Sequence, residues 1–305
     1  MRGMCGQGPR ARTSERRTAQ RAAAAGLEVT ALRRQLAAAQ AKSAKPKQSA
    51  STHRRLAFEG VTIGVGGLGN SQGDASQRGQ RAARPLRAVK IKALDGDDFD
   101  IESNQHHNFI VATFDEFAVF MRALGATKPD TPHPNPVEQF LSTHPTAKEF
   151  LGSRTYPDSF AQATYWGINS LKFTNAKGQS VFVRYRFIPR AGEKYLTPDE
   201  RKAKSASYLQ DEIVQRIAKG PVVFDLVVQI AEKGDKVEDP SIAWPDSRKT
   251  VKLGTFSLTK ITDDQQAVQK TLLFLPGQPH PGVEPADPML VLRNTAYPIS
   301  LGERQ

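Results

Sequence analysis

The sequence contains one cysteine, Cys5, among its 305 residues. A single cysteine excludes an intrachain disulfide and any zinc site built on several cysteines. The chain also lacks an apolar run near the roughly 18 residues that a membrane-spanning helix requires. We therefore expect a soluble protein without a membrane partner, whose covalent structure does not depend on an oxidising compartment.

Aromatic residues are missing from the N-terminal segment. Residues 1–55 contain no Phe, Tyr, Trp or Ile and are rich in Ala, Arg and Gln. The segment holds 13 of the 43 Lys and Arg residues but only two of the 31 acidic residues, Glu15 and Glu28. Because such a segment has little to bury, residues 1–55 are predicted to be a basic, poorly ordered arm, and residues 56–305 are predicted to be the folded domain.

The formal net charge of +12 belongs almost entirely to this arm, which carries +11 and leaves +1 for the rest of the chain. A neutral body argues against nucleic acid as a partner of the folded domain, so a nucleic-acid-binding protein that uses its basic arm is the least favoured alternative. We expect a cytoplasmic protein, or a periplasmic or organellar one if the Arg-rich arm is a targeting segment.

The hydrophobic pattern becomes regular from residue 87 onward. "RAVKIKALDGDDFDIE" alternates and turns at Asp95-Gly96, which predicts a β-hairpin. "TFDEFAVFMRAL" predicts a helix with a capping box formed by Thr113 and Glu116. The face of this helix that is predicted to be buried carries Phe114, Phe117, Met121 and Leu124.

The middle of the chain predicts strands and one long helix. "SLKFTNAKGQSVFVRYRF" predicts a hairpin whose second strand places Arg184 and Arg186 opposite its apolar face, where they need water or an anion. A single helix is predicted from its cap Thr197 to a stop at Gly220. Further strands are predicted for "PVVFDLVVQIAE", "TVKLGTFSLTKI" and "QKTLLFLPG". This order of elements favours the α+β class, with an antiparallel β-barrel and helices packed outside it.

The C-terminal stretch "VEPADPMLVLRNTAYPISLGER" places a tyrosine four residues after an arginine. Asp287 is predicted to cap a helix that Pro288 begins and Pro298 interrupts. Arg293 and Tyr297 then share one helix face. Because a fixed cation beside a phenol favours phenolate, and phenolate is an anionic ligand for haem iron, the pair indicates a metal-binding tyrosinate.

The same stretch resembles the proximal haem segment of haem catalases, and the chain as a whole is most similar to the short catalase-related peroxidases. The resemblance covers about residues 85–305. Its other matching segments, in family order, are "FLSTHPTAKEFL", "SFAQATYWGINSLKFTNAKGQSVFVRYRFIP", "YLQDEIVQRIAKGPVVFDLVVQIAEKGD", "EDPSIAWPDSRKTVKLGT" and "FLPG".

The resemblance implies a haem b cofactor and a role for each matching residue. Tyr297 would be the axial iron ligand, and Arg293 the cation that keeps it as phenolate. Arg304 would pair with a haem propionate, and Asp287 would be a carboxylate behind the proximal side. Arg186 stands where long catalases carry a proximal histidine.

The family's distal histidine has no counterpart where the resemblance places it, because residues 27–36 contain no histidine. His106 and His107, with Asn108, lie close to the family's distal asparagine segment and are the candidate acid–base residues. The other histidines, interpreted as linker or loop residues, are His53, His133, His144 and His280.

The resemblance thus implies a haem-dependent oxidoreductase that decomposes hydrogen peroxide or organic hydroperoxides. The missing distal histidine leaves a second interpretation open, a haem-binding protein without catalytic activity. The sequence does not decide between a monomer and a homo-oligomer.

Overall fold

The computed structural model describes residues 58–66, 86–93, 99–153, 155–264, 267–268 and 271–302. All of these residues belong to the unit Arg54–Gln305. The predicted arm of residues 1–55, the turn at Asp95-Gly96 and Arg304 lie outside the described residues, so the predictions made for them stay predictions.

Two antiparallel sheets contain the described strands. The first is formed by β1 (Phe58–Gly66), β2 (Leu86–Ala93) and β3 (Phe99–Ser103), in that order. The strands of the second sheet are β4 (Tyr165–Trp166), β5 (Leu171–Thr174), β6 (Ser180–Pro189), β7 (Val222–Ile230), β8 (Thr250–Leu258) and β9 (Val283–Pro285). Its order is β8-β7-β6-β5-β9, and β4 pairs with β6.

A backbone bridge connects the two sheets. The N–H of Asn104, just after β3, donates to the carbonyl of Trp166 at 3.0 Å, and the N–H of Trp166 donates back to the carbonyl of Asn104 at 2.8 Å. Trp166 in turn pairs with Arg186 of β6. Because side chains of directly paired residues share one face of a sheet, Asn104, Trp166 and Arg186 lie on the same face.

Helices follow the first sheet and separate the strands of the second. Their bounds are α1 (Phe114–Ala126), α2 (Pro136–Thr143), α3 (Pro145–Gly152), α4 (Pro198–Ala203), α5 (Tyr208–Lys219) and α6 (Pro288–Gly302). The predicted α+β class with antiparallel strands is confirmed. Among the described helices, none is long and apolar enough to cross a membrane.

The larger hydrophobic core lies on one face of β6. Val183, Tyr185 and Phe187 are at most 5% exposed and alternate with the arginines of the opposite face, as the period of a strand predicts. Leu290 from α6 packs into the same core, so the C-terminal helix is part of the packed domain. Burial of this apolar surface is the main stabilising term that holds α6 against the strands.

A second hydrophobic cluster joins α1, α2 and α3. The predicted capping box of Thr113 and Glu116 is present at the start of α1. The predicted buried face was wrong in part, because Met121 and Leu124 are exposed and Phe120 is buried instead. Phe120 faces Phe140 of α2 with ring centroids 5.4 Å apart, so contact with α2 determines which face of α1 is buried.

The long helix predicted after Thr197 is two helices, α4 and α5. The capping box of Thr197 and Glu200 is present, but the chain leaves the helix at Lys204, whose N–H donates to the carbonyl of Arg201. Ser207 donates its hydroxyl to Asp211 at 2.7 Å. Local side-chain hydrogen bonds of this kind favour turns over helix interior, which explains the break.

Two further predictions near the C-terminus were wrong. In "QKTLLFLPG", no strand is seen among the described residues, and the Leu275 N–H donates to the side chain of Asp100 at 2.7 Å instead of to a neighbouring strand. Pro298 does not end the helix, because α6 continues to Gly302. Pro298 lies inside this helix and is exposed, and the loss of its one helical N–H does not end the helix.

Gly277 packs directly against α6. Its N–H donates to the side-chain oxygen of Asn294 at 2.9 Å, and a Cβ added at Gly277 would lie 2.4 Å from the carbonyl oxygen of Leu290. We expect Gly277→Ala to lower the free energy of unfolding by about 1–3 kcal/mol, because the backbone of α6 must shift. Denaturant unfolding of both proteins measures the difference.

Gly125→Ala is the matched control for this substitution. A Cβ at Gly125 meets nothing within 4 Å, so alanine there should change stability by less than about 1 kcal/mol and in the favourable direction. Equal effects of the two substitutions would show that Gly277 is not constrained by α6.

Candidate functional site

Asp287 fixes the start of α6. Its Oδ1 accepts the N–H of Met289 at 2.8 Å, and its Oδ2 accepts the side-chain N–H of Asn169 at 2.6 Å. Asp287 is 1% exposed. Burial raises the pKa of its carboxyl, and the hydrogen bonds from Asn169 and Met289 oppose that rise. The predicted helix cap is therefore confirmed, and it anchors α6 to the segment that leads into β5.

Arg293 and Tyr297 lie one turn apart on α6 and meet at a single carboxylate oxygen. The Nη1 of Arg293 donates to Oε2 of Glu102 at 2.8 Å. The hydroxyl of Tyr297 donates to the same Oε2, also at 2.8 Å. The side chains of Arg293 and Glu102 are 13% and 11% exposed, so this arrangement is largely withdrawn from water.

The pKa values in this group reflect burial first and neighbours second. Burial raises the pKa of Glu102, while Arg293 and Tyr297 lower it and Asp100 raises it. Burial also raises the pKa of Tyr297 well above 10; Arg293 opposes that rise, and Glu102 adds to it. For Arg293, burial lowers the pKa, but Tyr297, Glu102 and Asp287 raise it, and the pKa is raised on balance.

Glu102 is the residue of this site that the sequence did not predict. The sequence placed the guanidinium of Arg293 directly beside the phenol of Tyr297, whereas the structure places the Glu102 carboxylate against both. The phenol donates a hydrogen bond to Glu102 in this arrangement, and the raised pKa of Tyr297 favours its protonated form. The one available signal was the alternation in "FDIES", which puts two acidic residues on the face of β3 opposite the buried Ile101.

Neighbouring contacts hold Arg293 and β3 in place. The guanidinium of Arg293 lies over the ring of Phe109 at 5.5 Å, a cation–π contact. Asp100, two residues before Glu102, bonds Lys90 at 2.7 Å and the backbone of Leu275 at 2.7 Å. Both carboxylates on this face of β3 are thus bound to groups elsewhere in the fold.

The predicted distal residues have other partners. The ring of His106 lies 4.3 Å from that of Phe150, and the exposed His107 has an edge contact with Trp166 at 6.0 Å. The Nδ2 of Asn108 donates to the backbone carbonyl of Ser241 at 3.2 Å. The structure therefore brings Arg293 and Tyr297 together on α6, with Asp287 at its start. The predicted distal residues contact Phe150, Trp166 and Ser241 instead of joining the contact at Glu102.

The other candidate residues are four histidines and Arg304, and only some of them lie among the described residues. His133 bonds Glu138 at 2.8 Å, His144 stacks on Phe140, and His280 packs against Phe99. His53 and Arg304 lie outside the described residues. No group of three or more His, Cys, Asp or Glu suited to a metal ion occurs among the residues with described positions.

The site lies within a segment of clear relationship to known proteins. Residues 61–304 match the catalase family. The chain belongs to the catalase family. This finding confirms the resemblance seen over about residues 85–305 and extends it to β1.

Two relatives of the chain are catalase-related peroxidases. The one from Synechococcus elongatus is 32% identical over 222 residues, which cover 68% of this chain and 66% of that protein. The one from Mycolicibacterium paratuberculosis is 30% identical over 237 residues, which cover 76% and 74%. The chain therefore spans about two thirds to three quarters of the length of these relatives.

Solved catalases share the fold. A fungal catalase superposes with a TM-score of 0.64 at 22% identity, and catalase A from Saccharomyces cerevisiae with a TM-score of 0.61 at 20% identity. Each superposition covers 73% of this chain but only 49% and 50% of the respective catalase. The fold prediction is confirmed, and the chain spans about half the length of these catalases.

The residues of this catalase-family chain fit the haem that the resemblance implies. Tyr297 supplies a buried phenol, the oxygen ligand that tyrosine-ligated haem requires. Arg293 supplies a buried cation one turn away on the same helix. Since the phenol donates to Glu102, ligation of iron by Tyr297 requires the hydrogen bond between Tyr297 and Glu102 to open.

Glu102→Gln tests how strongly the shared carboxylate holds the site. The substitution keeps the side-chain size but replaces charge-assisted hydrogen bonds to Arg293 and Tyr297 with neutral ones. We expect the free energy of unfolding to fall by about 1.5–3 kcal/mol. The control is Glu284→Gln, which removes an exposed pair with Lys172 at 3.5 Å and should cost less than about 1 kcal/mol.

Glu102→Gln should also change how the free energy of unfolding depends on pH. The folded protein binds a proton at Glu102 more tightly than the unfolded chain does, because the pKa is raised from its ordinary value of 4.5. The stability from this group is therefore complete below about pH 4.5 and is lost as the pH rises through the raised pKa. Glu102→Gln should remove that downward slope, and an unchanged slope would contradict the burial of a titrating Glu102.

Proposed function

We propose that the protein is a haem-dependent enzyme that decomposes peroxide, with Tyr297 as the axial iron ligand in its tyrosinate form and haem b as the cofactor. The observation that carries the proposal is the buried pair of Arg293 and Tyr297 on α6 in a chain of the catalase family. The names of the two relatives described above, catalase-related peroxidases, support peroxide as the small-molecule substrate.

The residues around Tyr297 perform distinct tasks in this proposal. Arg293 provides a fixed positive charge, which lowers the pKa of the Tyr297 phenol and so opposes the effect of burial. Glu102 Oε2 accepts the phenol hydrogen bond and orients the hydroxyl. Asp287 keeps the first turn of α6 against Asn169, which fixes where Arg293 and Tyr297 lie. Haem, when bound, supplies the redox chemistry by which peroxide is reduced.

Peroxide cleavage also requires a group that moves a proton between the two peroxide oxygens. His106 and His107 are the candidates from the sequence, but the one packs on Phe150 and the other is exposed beside Trp166. These contacts favour the second candidate function, haem binding with little catalysis. The two functions share the ligand Tyr297 and differ in turnover, so they are tested separately.

Tyr297→Phe tests the cofactor ligand. Phenylalanine keeps the ring and removes the only oxygen that Tyr297 offers, so we expect the absorption spectrum of the haem-loaded protein to be lost or strongly altered. Circular dichroism should show that the fold is retained. Tyr165→Phe is the matched control, since Tyr165 is a buried tyrosine whose hydroxyl donates to the carbonyl of Phe160 at 2.9 Å. An unchanged spectrum in Tyr297→Phe would refute the ligand assignment.

Turnover of hydrogen peroxide and of a peracid tests the distal side. Without a positioned base, hydrogen peroxide should be cleaved about 10²–10⁴ times more slowly than by a catalase that has a distal histidine. A peracid should suffer less, because its leaving group depends less on protonation. The variant His106→Ala/His107→Ala should match the wild type, with His133→Ala as the control at an exposed histidine.

Two other outcomes of this experiment lead to different conclusions. A fast wild type that the double substitution cripples would make His106 or His107 the distal base. A fast wild type that the double substitution leaves unchanged would assign the base to residues outside those described, among which His53 is the candidate.

A further inference from the structure

Arg184 is a buried arginine of β6 that has no role in the function proposed above. It is 4% exposed, and its guanidinium stacks on the ring of Trp244 at 4.4 Å. The alternation along β6 predicted that this side chain needs water or an anion. Its hydrogen bonds go to neutral protein acceptors instead, which are the hydroxyl of Ser170 and the backbone carbonyls of Ile242, Lys236 and Asp239. A buried cation is costly unless its donors are bound, so these acceptors are held firmly.

Three of the acceptors belong to the loop between β7 and β8, which runs from residue 231 to residue 249. Ordered loops of this length are uncommon in compact domains and usually serve a function. The Nη1 of Arg184 donates to the carbonyl of Ile242 at 2.8 Å, and its Nη2 donates to the carbonyl of Asp239 at 3.0 Å. These carbonyls lie on either side of Pro240 and Ser241, so one guanidinium holds this dipeptide at both ends.

The dipeptide in turn holds the segment that contacts Arg293. The N–H of Phe109 donates to the carbonyl of Pro240 at 2.8 Å, and the Nδ2 of Asn108 donates to the carbonyl of Ser241 at 3.2 Å. The ring of Phe109 lies 5.5 Å from the guanidinium of Arg293. Because Pro240 and Ser241 are buried, water does not compete for these hydrogen bonds. A buried path of contacts therefore leads from the loop to the proposed haem site.

A second path begins at the Nε of Arg184. This nitrogen donates to the hydroxyl of Ser170 at 3.2 Å, and the backbone carbonyl of Ser170 accepts the N–H of Ala286 at 3.0 Å. Ala286 directly precedes Asp287, the cap of α6. Ser170 and Asp287 are at most 1% exposed. The second path therefore ends at the start of the helix that carries the proposed ligand.

The charge of Arg184 supports the same connection. Burial lowers the pKa of Arg184 to about 10, and Asp287, Asp239 and Asp235 oppose that fall, so the guanidinium is still charged at neutral pH. Burial raises the pKa of Asp287, and Arg184 is among the groups that oppose the rise. The cation thus stabilises the ionised form of the carboxyl group that begins α6.

We propose that Arg184 is a positioning residue for the haem ligand. By holding the dipeptide on one side and Ser170 on the other, it determines where Arg293 and Tyr297 lie. Arginine suits this task because its planar guanidinium directs several N–H donors along fixed directions, which the ammonium of lysine does not. The proposal rests on the proposed function, since the position of Tyr297 affects haem only if Tyr297 binds iron.

Arg184→Lys and Ser170→Ala test the proposal in protein without haem. The chain contains six tyrosines, so protein labelled with ¹³C at the tyrosine Cζ gives one NMR resonance for each, and the resonance missing from Tyr297→Phe belongs to Tyr297. Cζ carries the phenol oxygen, so its chemical shift reports the hydrogen bond to Glu102. Arg184→Lys keeps the charge but loses most of the hydrogen bonds, and it should shift or broaden this resonance. Ser170→Ala removes one acceptor and should have a smaller effect.

Arg248→Lys is the matched control. Arg248 binds the start of the same loop, with Asp235 at 2.9 Å and Glu232 at 2.8 Å. Its substitution should leave the Tyr297 resonance unchanged. With haem added, Arg184→Lys should bind haem about tenfold more weakly than the wild type and change its ferric absorption spectrum, because partners behind a ligand affect how well that ligand binds. Arg248→Lys should match the wild type in both measurements.

Two results would overturn the proposal. If the Tyr297 resonance is the same in the wild type, Arg184→Lys and Ser170→Ala, then Arg184 does not position this side chain. If Arg248→Lys shifts the resonance as far as Arg184→Lys does, the effect comes from any loosening of the loop. Should Arg184→Lys fail to fold, the comparison of Ser170→Ala with Arg248→Lys decides. A shifted resonance in a protein that never binds haem would contradict the proposed function and not the positioning of Tyr297.

Discussion

The buried carboxylate of Glu102 is the interaction on which the arrangement of the candidate site depends. One oxygen accepts hydrogen bonds from Arg293 and from Tyr297, which are 191 and 195 residues away in the sequence. The contact joins the first sheet to the C-terminal helix. Burying a carboxylate is costly unless a cation and hydrogen bonds compensate it, so each of the three side chains constrains the other two.

The relationship to catalases is the reason for the role that we propose for Arg293 and Tyr297. Family membership and the shared fold place α6 in a catalase-like domain. They assign no role to Glu102, whose contacts come from the structure alone. A site built on Tyr297 therefore includes the Glu102 carboxylate. Its Oε2 lies 2.8 Å from the Tyr297 hydroxyl and 2.8 Å from the Arg293 guanidinium.

Local patterns in the sequence predicted local structure well. The capping boxes at Thr113 and Thr197, the alternation along β6 and the cap at Asp287 all depend on residues within a few positions of one another. The errors arose where contacts between residues far apart in the sequence determine the structure. Met121 is exposed because α1 packs on α2, and Leu275 bonds the side chain of Asp100 instead of joining a sheet. Glu102 was missed for the same reason, since no short-range pattern records a partner near residue 293.

The long separation between Glu102 and its partners has a consequence for how the chain folds during synthesis. Glu102 leaves the ribosome long before Arg293 exists, and Leu290 completes the larger core equally late. Until then the carboxylate has no cation to bury against, and the apolar face of β6 stays incompletely covered. The domain must therefore reach its final structure after translation has passed residue 297. Contacts between such distant parts of a chain form slowly, and this interval is when the chain is most exposed to aggregation.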